Sequence, residues 1–331
     1  SSLGSYGLGK QVFAKTSSLR LVLYYSHFKK TSETDNTWSR FMGVGFFPEI
    51  EDQELKPGFS FFGGDPTRDG FPRSPATNSD AIDFIKKIGL NARKKDEIGT
   101  SVYVPFVEIN SIKDIRDAMV KWYWPELIHP DFKSNFDVVF EDIDGQKFDL
   151  NPYDHEYVRP FIPILNNLRS DTVTGNTRIE KIHAKRGNKR IEAGKLCLMR
   201  SDKKPAPESI NKVALIRAGM VVTYDDEKIK QDFFKDKEEP DCFGVFEAAE
   251  DKDQVLKLSE PALHDYWSET SNRVKSRYGD EALNWIRRTL NQIETKTNDY
   301  KQAQKPLVAA KKQKTLSFLD SALMPLIQSS T

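Results

Sequence analysis

No apolar run in this 331-residue chain approaches the roughly 20 residues needed to cross a bilayer, so the sequence offers no candidate transmembrane helix. Neither sign of charge is in excess: 50 Lys and Arg face 49 Asp and Glu, which leaves no global basic field to argue for nucleic acid. Cysteine is nearly absent. Cys197 and Cys242 both lie in apolar, strand-like runs and read as buried thiols rather than a disulfide pair. The histidines, His27, His129, His155, His183 and His264, are scattered, and no two stand at the H-x-x-x-H spacing of a helical metal site. No signal peptide is visible, although a chain starting in mid-domain would show none, and a cytoplasmic protein is the simplest reading. What remains is a chain long enough for two domains, 30% charged, with a mean hydropathy of −0.60.

The most informative stretch is Gly4-Ser5-Tyr6-Gly7-Leu8-Gly9-Lys10. Three glycines at this spacing let backbone N–H groups converge on a phosphate chain. The spacing predicts a helix over Gln11 to Ser18, whose positive end would add about 0.3–1 kcal/mol of attraction for an anion. Lys10, where loop meets helix, can reach a terminal phosphate as a point charge. Three patterns compete for this loop. A P-loop needs Ser or Thr after the lysine to hold magnesium, and Gln11 stands there. The dinucleotide fingerprint has its glycines in the other order and needs a preceding strand. The third is G-x-x-G-x-G running into a helix and then an apolar strand, supplied here by Leu19 to Ser26. An ordinary glycine-rich turn that starts a helix is the plain alternative.

In this third pattern the chain resembles the GHKL ATPases (gyrase, MutL, histidine kinases, the ninety-kilodalton heat-shock chaperone and the MORC proteins), as a prokaryotic MORC-like or chaperone-like member truncated at its N-terminus. The resemblance implies that Gly4, Ser5, Tyr6, Gly7, Leu8, Gly9 and Lys10 close a lid over ATP. It implies ATP and magnesium as cofactors and a homodimer or partner protein as the assembly. Asp96-Glu97-Ile98-Gly99-Thr100 leads into alternating apolar residues and resembles the Gly-Thr pair before the closing strand of that domain, which places Thr100 near the adenine floor. A turn before an ordinary strand reads equally well. The superfamily's E-x-x-x-N and D-x-G-x-G motifs have no counterpart ahead of Gly4, and Glu294 to Asn298 matches the first only by letter. The magnesium ligand is therefore expected outside this chain, which would be inactive alone.

The fold class expected is α/β (α+β): the C-terminal part of a Bergerat-type ATPase sandwich over residues 1–108, a transducer-like mixed-sheet domain over 109–270, and a C-terminal helix and tail over 271–331. Polar Lys29 to Thr37 separates two apolar runs as a hairpin, and Gln53 to Ser79, rich in Gly and Pro, reads as irregular, surface-running chain. Helices are predicted over Asp80 to Ile88, Ile112 to Leu127, Tyr153 to Leu168 and Asp280 to Asp299. Asp144-Gly145 signals a hairpin, and strands are predicted at Lys195 to Arg200, Lys212 to Arg217, Val221 to Tyr224 and Cys242 to Ala248.

Arg217 ends a strand before a Gly turn, a position from which a cation reaches out of a domain. The resemblance implies a transducer-domain cation on the γ-phosphate, with Arg217 ahead of Lys212 and Lys195; a solvated or salt-bridged arginine is the rival reading. Glu260-Pro261-Ala262-Leu263-His264-Asp265-Tyr266-Trp267 reads as structural, with Pro261 starting a helix and Trp267 anchoring two domains together. Similar strings occur in uncharacterised prokaryotic GHKL proteins, some at restriction or phage-defence loci. The basic run Lys181 to Arg190 lacks interleaved aromatics and reads as a solvated hairpin tip rather than a nucleic-acid site. The function expected is part of a GHKL-type ATPase in phage defence or DNA maintenance, with a non-catalytic scaffold as the alternative.

Overall fold

A computed structural model describes residues 8–29, 37–47, 50–52, 54–56, 58–64, 74–94, 96–107, 112–129, 138–142, 144–201, 207–224, 233–234, 240–261 and 265–305. The protein is mixed α/β, and its chain divides into two compact units whose boundary falls between Ser111 and Ile112.

The smaller unit contains α1 (Leu8–Thr16), β1 (Leu21–His27), β2 (Ser39–Phe46), β3 (Ile50–Asp52), β4 (Glu54–Lys56), β5 (Phe59–Phe62), β6 (Ala76–Thr77), α2 (Asn78–Lys87) and β7 (Gly99–Tyr103). Its main sheet runs β5-β2-β1-β7, antiparallel throughout, with β6 also pairing β2; β3 and β4 form a separate ribbon. The apolar run after the glycine loop thus becomes an inner strand. The stretch expected to be irregular, Gln53 to Ser79, instead supplies β4, β5 and β6, the last two because Phe59, Phe61 and Ala76 pair along β2. Ala81 and Ile85, four apart on α2, bury against Tyr25 and Phe41, and the Phe41 and Phe84 rings stack with centroids 4.5 Å apart. Helix α1 starts at Leu8 rather than Gln11 and stops at Thr16, whose hydroxyl donates back to the carbonyls of Val12 and Phe13. Gly9 and Lys10 therefore belong to a helical turn.

The larger unit continues with α3 (Ile112–Leu127), β8 (Phe140–Glu141), β9 (Lys147–Phe148), α4 (Ile162–Ser170), β10 (Thr177–Arg186), β11 (Lys189–Arg200), β12 (Lys212–Arg217), β13 (Met220–Thr223), β14 (Cys242–Ala248), α5 (Asp253–Ser259), α6 (Asn272–Tyr278) and α7 (Asp280–Gln304). Its sheet is ordered β10-β11-β14-β12-β13 and is mixed: β12 runs parallel to β14, and the other pairs are antiparallel. Alternate residues feed two cores. Leu196, Leu198, Val213 and Leu215 face α5, α6 and α7, whereas Cys197, Ala214 and Ile216 face α3 and α4. Burial on both faces explains why these strands read as continuous apolar runs.

The helix expected over Tyr153 to Leu168 is only its last part. Pro160 cannot donate to a helical ladder, while Pro163 falls in the first turn of α4, where no donor is needed. Pro261 follows the end of α5, and residues 262–264, on which the expected helix start depends, lie outside the described residues. Trp267 is buried inside the larger unit, edge-on to Phe246 with ring centroids 5.9 Å apart, so it is core rather than an anchor between domains. Asn298 of the false E-x-x-x-N match donates to the Phe233 and Glu294 carbonyls.

Both thiols are free and buried. Burial pushes the Cys197 thiol up to about 12, and burial, with help from Cys242, pushes the Tyr300 phenol up to about 12. The unfolded chain ionises these groups near their ordinary values of about 8.5 and 10. Between those values and the folded ones the folded state holds more protons, so stability falls as pH rises. The denaturant midpoint is expected to decline steadily above about pH 9, and Cys197→Ala should make that decline shallower.

Candidate functional site

Gly4, Ser5, Tyr6 and Gly7 lie outside the described residues. Leu8, Gly9 and Lys10 form the first turn of α1, whose backbone N–H groups have no intrahelical acceptor and form the positive end of the helix dipole. At its other end the helix is tied to the chain leaving β7. The Ser17 hydroxyl donates to the Pro105 carbonyl at 2.7 Å, and the Ser18 N–H donates to the Phe106 carbonyl at 2.9 Å.

Thr100 sits directly opposite Ser26 in the β1–β7 ladder, and the two hydroxyls are 2.9 Å apart. Arg93 fastens this strand start: its Nε donates to the Ser101 hydroxyl at 3.0 Å and its Nη2 to the Thr100 carbonyl at 3.2 Å. Gly99 adopts φ 149, and a Cβ there would lie 3.0 Å from the guanidinium. Reading the sequence missed Arg93, which stands eight residues before Ser101 in a polar stretch with no motif to mark it.

In the larger unit, Ala218 and Gly219, at φ 46 and 76, form the two-residue turn between β12 and β13. A Cβ on Gly219 would lie 2.3 Å from the Glu126 carboxylate. Arg217, just before this turn, does not reach out of the unit: it is 1% exposed. Glu260 accepts from its Nε and, at 2.6 Å, from its Nη2, while Asp253 accepts from Nη1 at 2.8 Å. Burial works against the charge on Arg217, but the bonds and charges of Glu260 and Asp253 outweigh it and raise the pKa. The expectation of a projecting cation fails because Glu260 and Asp253, 43 and 36 residues further along, return to cover the guanidinium.

Beside the turn lies a cleft of about 550 Å³, at the carboxyl ends of the parallel pair β12 and β14. Arg217, Lys195, Glu192, Glu247, Glu250 and Asp253 contribute its charges. Both of its cations are engaged: Lys195 with Asp171 at 3.2 Å, Arg217 with Asp253 and Glu260. Glu247 is held by Arg169 at 2.7 Å. With Asp253 and Glu247 taken up in those pairs, Glu192 and Glu250 leave the cleft acidic, which repels a triphosphate. Lys212, at the opposite end of β12, is half-buried and forms no ion pair among the described residues. No group of three or more metal-ligating side chains occurs among the described residues. The fold thus brings Arg217 and Lys195 to one acidic cleft, and within the smaller unit it sets Thr100 beside β1.

No protein-family model matches the chain, and no curated protein matches it.

Proposed function

We propose that the smaller unit is the lid-bearing part of a GHKL-type ATP-binding domain and the larger unit its transducer-like companion. ATP, with magnesium, binds across the glycine loop, draws it closed and promotes dimerisation; hydrolysis reopens the clamp. Gly4, Gly7, Gly9 and Lys10 hold the phosphates, and Thr100 lies toward the adenine. Phage defence or DNA maintenance is the setting that the Glu260 to Trp267 string favours.

One observation carries this reading. The helix that begins in the glycine loop runs into β1, and the Gly-Thr strand closes the sheet beside that same strand, at Ser26–Thr100. The bonds from Ser17 and Ser18 to the chain after β7 give loop closure a direct mechanical path into the sheet. Arg217, engaged by two carboxylates, is replaced in this proposal by Lys212 as the cation for the γ-phosphate.

The test uses the complete reading frame that encodes this chain. Magnesium with a non-hydrolysable ATP analogue is expected to convert monomer to dimer in light scattering. Gly7→Val and Lys10→Ala should each weaken nucleotide binding by about tenfold or more, roughly the loss of one charge-assisted phosphate contact. Lys212→Ala should slow hydrolysis with little change in binding. If nucleotide changes neither the oligomeric state nor the melting temperature, the scaffold reading replaces this one. The internal pairing of Arg217 and Lys195 is the observation that favours that second reading.

A further inference from the structure

Opposite-charge pairing is common in the larger unit, as Arg169–Glu247, Lys195–Asp171, Arg178–Glu180 and Lys296–Glu180 show. One region gathers several cations outside such pairs. Lys185, Arg186, Lys189 and Arg190 at the tip of the β10–β11 hairpin form no ion pair among the described residues, and neither do Arg277, Arg287 and Arg288 of α6 and α7. These groups, about a hundred residues apart in sequence, meet in space. Arg288 Nη1 donates to the Lys185 carbonyl at 2.9 Å. The Arg186 and Arg277 guanidinium groups each lie 5.7 Å from the centre of the Tyr278 ring. A Cβ on Gly187 at the hairpin turn would lie 3.1 Å from the Glu281 carboxylate, an acid set against the tip, while nearby Asp280 is taken by Lys275 at 3.1 Å. Lys185 and Arg190 point to the opposite face of the hairpin from Arg186 and Lys189, so the seven cations without an ion pair among the described residues flank the tip on both faces, in a chain of net charge +1.

From this geometry we infer that the hairpin tip and the α6–α7 junction form a binding surface for the phosphodiester backbone of duplex nucleic acid. Five of the seven cations are arginines, whose planar forks match phosphate oxygens in pairs. The interleaved aromatic absent from the run 181–190 is supplied by Tyr278, from another part of the chain. Like-charged groups that outnumber the one carboxylate set against them, Glu281, repel one another, and a polyanion relieves that repulsion by exchanging its condensed counterions for them. A membrane surface fits less well. Amphipathic membrane binders set large apolar side chains beside their cations, and among the described residues from 177 to 305 no large apolar side chain is exposed. Contacts confined to the backbone predict little sequence preference.

The experiment is fluorescence anisotropy of the full chain with a labelled mixed-sequence DNA duplex of about 20 base pairs, titrated between about 50 and 200 mM KCl. The expected slope of log affinity against log salt is about −4 to −6, as for five to seven phosphates. Lys189→Glu with Arg190→Glu, and separately Arg287→Glu with Arg288→Glu, should each weaken binding by about tenfold or more and flatten the slope by about 2. Lys86→Glu with Lys87→Glu on α2 should leave both unchanged. Melting curves confirm that each variant is folded, and the hairpin pair stands if the helix pair is not. Three results overturn the inference: no binding at the lowest salt, binding indifferent to both patch variants, or protein captured on phosphatidylserine–phosphatidylcholine vesicles that excess duplex fails to release.

Discussion

Glu260→Ala is expected to destabilise the larger unit by about 3–5 kcal/mol, because it leaves the Arg217 charge buried with one of its two carboxylates gone. Glu260 is fully buried and also accepts from the Trp267 indole at 3.3 Å, so the same change strips a donor in the core of its partner. Four of the five tryptophans lie in this unit, so urea unfolding followed by tryptophan fluorescence reports on it directly. Replacing all three partners, Arg217→Met with Glu260→Leu and Asp253→Leu, removes the buried charges together and should recover most of the loss, since apolar groups of similar volume can substitute for a buried ion pair. A Glu260→Ala protein within about 1 kcal/mol of the parent would show that the pair is not a structural tie. It would also return Arg217 to consideration as a mobile cation.

Gly194→Val should be comparably damaging, for a steric reason. A Cβ at this position would sit 2.2 Å from the Glu247 carbonyl oxygen and 2.9 Å from the Ala248 Cα, both backbone atoms that cannot swing away. The residue lies where the β10–β11 register shifts: Ile182 faces Gly194 and His183 faces Glu192, leaving Ala193 as the extra residue of a bulge. Any side chain forces β11 and β14 apart and adds backbone strain at φ 155, a combined cost of at least about 3 kcal/mol. Loss of the cooperative unfolding transition, or recovery of protein only from inclusion bodies, is the expected readout. A Gly194→Val variant that melts within a few degrees of the parent would sink this account.

Some of the architecture could be read from the residues alone. Lys212–Arg217 and Cys242–Ala248 are strands with the bounds their apolar runs suggest, and Ile112–Leu127 is a helix end to end, because burial on both faces or one clear stripe dominates each segment. The mixed character of the larger sheet was legible in the alternation of helices and hairpins. The segment 153–170 was harder. Its apolar periodicity continues across Pro160 and Pro163, and only the missing donors decide where the ladder can begin. Arg217 misled for a different reason. The local pattern, a cation before a tight turn, describes a projecting side chain, and the carboxylates that cover it come from Asp253 and Glu260, at the two ends of a helix no local rule connects to that turn. The cluster around Tyr278 was invisible for the same cause: its two halves are separated by most of the sheet in sequence and meet only through the packing of α7 on β10.

The last turn of α7 bears on how the protein is made. Tyr300 donates its hydroxyl to the Asn176 carbonyl, and Lys301, fully buried, donates to the Asn211 side chain at 2.6 Å. The core under the sheet therefore stays open until the final turn of this helix has left the ribosome. At about 5–20 residues per second, the segment from Ile112 to Gln304 takes roughly 10–40 s to synthesise. For roughly the last 3–11 s of that interval, between Ala248 and Gln304, the face of β12 and β14 that α5, α6 and α7 cover is a bare apolar surface.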